Sequence, residues 1–290
     1  ADYDGAISDF TKALEIRPSD ADFYVKRGKA KFEKADFNGA MQDYTNAIIL
    51  NPVVTTYVLR GNAELKMRQT GAAVEDYNIA IALDSTSSEA YSGRASAELV
   101  SNGYDSINAW VEAKITNDYT KALKFNSNNA EAYFGLGTIS RILKKHKEAK
   151  DYLLKAISLD GKYARAYLEK GNAEVGLGEY TQAIFDYTKS IALEPDDLWA
   201  FLGRARAKRM LDDHRGAVDD YTTAIKRDSS VAEAFLGRGL SMIELGQKDT
   251  GCLDLSRAGE LGNPTAYKLI RKHCMKEPLS GTNRRGTYQR

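Results

Sequence analysis

Proline, cysteine, histidine and tryptophan are scarce, at 5, 2, 3 and 2 residues in 290. Two cysteines cannot build a disulfide framework, and with three histidines they leave little for a structural metal site. Neither sign of charge is in excess. The balance of 41 Lys+Arg against 40 Asp+Glu excludes a strongly basic nucleic-acid reader and an acidic tail protein. No apolar run approaches the roughly 18 residues that cross a bilayer, and no basic-then-apolar leader opens the chain. A Walker-type phosphate loop, a His-Glu-x-x-His helix and a nucleophile elbow are all missing. What is plentiful is core-forming material, 43% hydrophobic and 10% aromatic, too rich for a disordered chain.

Most of that material recurs. An aromatic opens each copy at Tyr24, Tyr57, Tyr91, Tyr133, Tyr167, Phe201 and Phe235, at intervals of 33, 34, 42, 34, 34 and 34. Four residues on stands Gly28, Gly61, Ala95, Gly137, Gly171, Ala205 or Gly239. Small residues follow in phase, Ala40 with Ala47 and Ala217 with Ala224 among them, and Asp-Tyr recurs at Asp43-Tyr44, Asp76-Tyr77, Asp186-Tyr187 and Asp220-Tyr221. Pro18, Pro52 and Pro195 close copies where a helix cannot easily continue. Each copy holds two apolar stripes at helical spacing around a Gly-rich or polar break, as at Gly178-Glu179-Tyr180. The unit is a helical hairpin that covers its apolar face only by stacking on the next.

These residues and the 34-residue period resemble the tetratricopeptide repeat family. The resemblance covers residues 1–275 and implies an all-α, right-handed superhelical solenoid of antiparallel helix pairs. About seven full repeats, a half repeat and a capping helix are expected. It also implies protein or peptide binding in a concave groove without catalysis. The segment Gly251 to Gly262 looks like the ends of some bacterial members, which points to a bacterial source.

The pattern departs from the family in four places. Residues 1–20 match only the second helix of a repeat, which implies an upstream helix cut away and an apolar edge open to self-association. Residues 91–126 are eight too long, with the extra residues near Asn102 to Thr116 and carrying Trp110. Either a protruding helix end or an altered superhelix curvature makes a partner site there, or the insertion is tolerated and Trp110 packs on the neighbouring pair. Residues 264–275 form a polar-sided closing helix, and 276–290 read as a disordered basic tail. Cys252 and Cys274 each lie 11 residues from Asn263, at the turn between two antiparallel helices. They stand level, so a disulfide is open to them; plain core packing explains Cys252 equally, since Met41, Val74, Ile184 and Val218 fill its slot. A disulfide would argue for an oxidising compartment such as a bacterial periplasm; without it the cytoplasm is as good a reading.

The residue before the small slot is basic in Arg27, Arg60, Arg94, Lys170, Arg204 and Arg238, and the second helix carries Asp43, Asp76, Asp118, Asp186, Asp220 and Asp254. One copy loses both together, with Leu136 and Tyr152, so each basic residue is expected to pair with the Asp of its own hairpin. His146 and His214 occupy a turn slot held elsewhere by Phe37 and Tyr180, and read as interhelical packing. No acid, base and nucleophile assemble, so no enzyme, cofactor or metal site is expected.

Family ligands lie along the first helices, one and five residues after the opening aromatic. Carried onto this chain, the partner-binding candidates are Asn62, Phe134, Leu168, Asn172, Leu202 and Arg206, with Arg209 one turn on. Members that clamp a C-terminal carboxylate use basic residues in the first set, and this chain has none there. The expected role is a non-catalytic scaffold for a protein or peptide partner, with no nucleic acid and no membrane span. The alternative is the regulatory or assembly part of a larger protein whose activity lies upstream.

Overall fold

The computed structural model describes residues 2–103 and 107–275, and all regular structure among them is helical. A lone helix α1 (Tyr3–Ile16) comes first. Then follow α2 (Ala21–Glu33), α3 (Phe37–Leu50), α4 (Val54–Lys66), α5 (Thr70–Leu83), α6 (Ser88–Asn102), α7 (Ala109–Phe125), α8 (Ala130–Ile142) and α9 (His146–Leu159). The rest are α10 (Ala164–Leu177), α11 (Tyr180–Leu193), α12 (Leu198–Met210), α13 (His214–Arg227), α14 (Ala232–Glu244), α15 (Lys248–Glu260) and α16 (Pro264–His273). The array divides into two compact units, the first ending at Gly176 and the second beginning at Leu177.

A regular hairpin is a 13-residue helix, a three-residue turn and a 14-residue helix, as in α2 with α3 and α12 with α13. The turn is written in the sequence. Its middle residue takes a left-handed backbone, at Gly178 and Gly246 without steric cost and at Ala35, Arg68, Lys144 and Asp212 against it. Its last residue caps the next helix where it is Asp: the Asp36 carboxylate accepts from Gly39 N and that of Asp213 from Gly216 N, both at 2.9 Å.

Small residues bring the paired helices together, and Ala40, Ala47, Ala73, Ala80, Ala217 and Ala224 have no exposed surface. Neighbouring hairpins are joined by the second-helix tyrosines. The Tyr77, Tyr119, Tyr187 and Tyr221 rings lie against the backbones of Gly93, Gly135, Gly203 and Gly237 on the following first helix. A Cβ at any of those glycines would stand 2.0–2.5 Å from the ring. Each glycine follows its tyrosine by 16 residues.

Five of the six expected Arg–Asp pairs lie within one unit, and all five form. Arg27 grips Asp43, Arg60 Asp76, Arg94 Asp118, Arg204 Asp220 and Arg238 Asp254, each through Nε and Nη2 at 2.7–2.9 Å. The third nitrogen reaches back to the preceding hairpin, donating to Thr11, Thr45, Asn78, Thr188 and Thr222 respectively. One guanidinium thus fixes three helices, with its carboxylate nearly buried. In the copy that lacks the pair, Leu136 is buried with Tyr152 packed against the same cluster.

The long copy absorbs its eight residues in three parts. Helix α6 has 15 residues instead of 13, the connection has six instead of three, and α7 has 17 instead of 14. Asp118 and Tyr119 therefore return to their usual buried slots. Val111 and Ile115 are buried in one cluster with Ile139, and Ile107, Ile142 and Leu143 pack against that cluster. Trp110 does not pack on the neighbouring pair: it is 70% exposed, with Lys114 Nζ 5.4 Å over its ring, so the helix end protrudes.

At the first edge, Ala6, Phe10 and Ala13 stay half-buried where their counterparts Ala40, Tyr44 and Ala47 are wholly covered. At the far edge, α16 packs on α15 through Ala266 and Tyr267, and Cys252 and Cys274 form a disulfide with Cα atoms 5.7 Å apart. The basic tail read at 276–290 lies outside the described residues.

Candidate functional site

The surface left open by stacking is the face of each first helix that no second helix covers. Two contacts between successive hairpins locate it. Ser96 Oγ donates to Glu131 Oε1 at 2.8 Å in the first unit, and Arg206 Nε meets Glu233 Oε1 at 2.9 Å in the second. In both, the residue five after an opening aromatic meets the residue two before the next. The wall is therefore built from those two positions.

In the first unit, Asn62 is half-buried and accepts a 2.7 Å bond from the Tyr77 hydroxyl. Asn172 donates to Glu169 Oε2 at 3.4 Å, and Leu168 is half-buried. Phe134 is only 4% exposed, with Tyr163 against its ring and the Arg165 guanidinium 5.0 Å above it. Glu131 is held from two sides, by Ser96 and by the Tyr163 hydroxyl, whose proton is held on by burial and by that carboxylate.

In the second unit, Leu202 has no exposed surface at all. Leu202 and Phe134 are thus interhelical packing and offer a ligand almost no area, a correction to their place among the candidates. The reason is geometric: the position just after the opening aromatic points at the next hairpin, and a large apolar side chain there is covered by it. Arg206 and Arg209 do come together. Arg209 bonds the Tyr221 hydroxyl, and Arg206 is near enough for its charge to act on it: burial pushes that hydroxyl's pKa up and the two guanidiniums pull it down. Arg206 has Glu233 as its partner, while Arg209 meets no carboxylate among the described residues. Trp199, 57% exposed, shares this face and was not a candidate from the sequence. It stands two residues before Phe201, the wall position that the motif reading passed over.

His146 packs its ring on Gly176, and His214 Nε2 lies 3.7 Å from Asp212, so both sit at hairpin turns away from the wall. Among the described residues no group of three or more His, Cys, Asp or Glu could hold a metal, and no helix is long and apolar enough to cross a membrane.

The tetratricopeptide repeat model matches residues 130–163 and 164–197, two adjoining copies of the period. Those two copies are tetratricopeptide repeats. No curated protein matches it in sequence. A chain of the APC/C hetero-tetramer Cut9–Hcn1 aligns over 94% of this helical array at 16% identity, with a TM-score of 0.74. The array spans 53% of that chain's own length. PilF of Pseudomonas aeruginosa aligns over 76% of the array and 96% of its own chain, at 19% identity and a TM-score of 0.65. YrrB, described as a TPR protein with an unusual peptide-binding site, aligns over 69% of the array and 99% of its own chain, at 20% identity and a TM-score of 0.57. At these identities the likeness is one of fold. Tetratricopeptide repeats are in general protein-interaction scaffolds, and the repeats of this chain support that general role.

Proposed function

We propose that the array binds an extended peptide segment of a partner protein along the open faces of its first helices. The observation that carries this reading is the composition of the wall. Fixed polar groups, Asn62 and Asn172 in the first unit and Arg206 with Arg209 in the second, alternate with partly exposed Leu168 and Trp199. Amide side chains bond a peptide backbone, and guanidiniums bond its acidic side chains. YrrB shows that this fold supports a peptide site in at least one structural neighbour.

The test is a peptide array probed with the whole chain and with the Asn172→Ala/Arg206→Ala variant. The reading expects a set of peptides whose retention drops about tenfold or more on the variant. Undiminished retention would overturn the choice of residues, and an array without any retained peptide would overturn the reading.

A further inference from the structure

The geometry points to the chemistry of the segment that the second unit takes: a carboxylate side chain with a large apolar side chain three residues away along a polyproline II segment. This inference rests on the peptide-binding reading and adds the ligand class at α12.

Helix α12 carries Trp199, Arg206 and Met210 on one line. Seven residues fall about 20° short of two helical turns, and eleven overshoot three turns by about the same angle. Trp199 is 57% exposed, Met210 51%, and the Arg206 side chain 44%. Arg209 flanks that line about 60° from Arg206. Aromatic and arginine side chains on one open, helix-borne face are the residue types that dominate binding energy at interfaces, because each presents much rigid area or several donors at little entropic cost.

Charge fixes the sign of the ligand. Arg204 and Arg238, the buried guanidiniums of the same unit, each hold a carboxylate through two nitrogens. Arg206 and Arg209 have Glu233 alone between them, with a single 2.9 Å contact from Arg206 and a side chain 43% exposed. The cluster therefore lacks one carboxylate of being neutral. A peptide Asp or Glu supplies it, shared by Arg209 and Arg206.

Spacing fixes the rest. Trp199 and Arg206 are separated by about 10.5 Å along the helix axis, at 1.5 Å per residue. A polyproline II segment covers about 9.3 Å in three residues, at 3.1 Å each, and its three-residue turn brings both side chains back to the side that faces the helix. A segment whose carboxylate sits at Arg206 and Arg209 thus places its third neighbour over the Trp199 indole. A Leu, Phe or Trp side chain there buries against the ring.

Trp110→Phe leaves Trp199 as the sole tryptophan, so indole emission reports this face directly. The probes are capped peptides carrying one Glu and one Leu at separations of one to six residues, in both orders, each with a Gln-for-Glu control. Affinity should peak at a separation of three with a shift in emission, fall about tenfold for the Gln control, and weaken as salt is raised. Arg209→Gln should lose about tenfold, and Glu233→Gln, which removes the internal competitor, should gain several-fold. Affinity that ignores the separation or the Gln replacement, or that drops on Glu233→Gln, overturns the inference. Peptides that bind and respond only to Asn62→Ala or Asn172→Ala overturn it and leave the scaffold reading standing. Peptides that bind nowhere overturn both.

Discussion

Glu64 stands where Lys31 and Lys208 stand in other hairpins, seven residues after the opening aromatic. Those lysines add a second cation to the Arg–Asp pair, with Nζ 2.8 Å from Asp43 and from Asp220. Glu64 instead brings a second buried carboxyl to Asp76, with Arg60 alone to neutralise both. Burial and then Asp76 push its pKa up to about 7 against the pull of Arg60. The folded state holds this proton more tightly than the unfolded chain, so stability is greatest in acid and declines as pH rises from the ordinary carboxyl range through about 7. Glu64→Lys should remove that decline and raise stability at pH 8 by about 1–3 kcal/mol, read from urea unfolding at pH 5 and pH 8. A pair of neighbouring arginines makes a sharper contrast. Arg204→Ala leaves the nearly buried Asp220 with Lys208 as its remaining cation and should cost about 2 kcal/mol, whereas Arg206→Ala breaks an exposed pair and should cost less than about 1 kcal/mol. Thermal unfolding of the two variants checks the division of labour between fold and face. The sequence announced the buried partner through the joint loss at Leu136 and Tyr152; Arg209 beside Tyr221 left no such trace, because the contact occurs once.

At the scale of the element, four of the junctions between hairpins are a tyrosine ring laid on a bare helix backbone. Gly135→Ala and Gly203→Ala should each cost about 1–3 kcal/mol, since the new methyl enters the ring of Tyr119 or Tyr187. The array contains its own control. Leu153 takes the tyrosine slot where the residue 16 later is Glu169 and not glycine. Tyr221→Leu should therefore recover part of the loss caused by Gly237→Ala, a positive coupling measurable in a double-mutant cycle. The 34-residue period made the hairpins and their small-residue slots legible, and the same arithmetic held this 16-residue interval. Less legible was the insertion at 91–126. Its length fixed that phase had to be restored, but whether Trp110 packed or protruded depended on Val111 and Ile107 joining the cluster that holds Ile139, packing that no periodicity encodes. Phe134 and Leu202 show the same limit on the wall, where register places a residue near a face without saying how much of it the next hairpin covers.

Across the whole molecule, cohesion comes from each hairpin leaning on its neighbours, so the edges set the weakest points. The Cys252–Cys274 bond closes one edge by tying α15 to α16, whose only buried residue is Ala266. Reduction, or Cys252→Ser with Cys274→Ser, should lower the protection of α16 amides by about 3 kcal/mol in hydrogen exchange, with α2 to α5 unchanged. The level placement of the two cysteines about Asn263 was readable in the chain; their oxidation was one of two readings until the side chains were seen to meet. The division at Gly176 was not readable, since the repeat period runs through it unbroken. The measurement that bears most directly on the account is hydrogen exchange of the whole chain with and without the tightest peptide from the array. Binding along the open faces predicts added protection in first helices such as α4, α8 and α12. Protection confined to the second helices α5, α9 and α13 would contradict it.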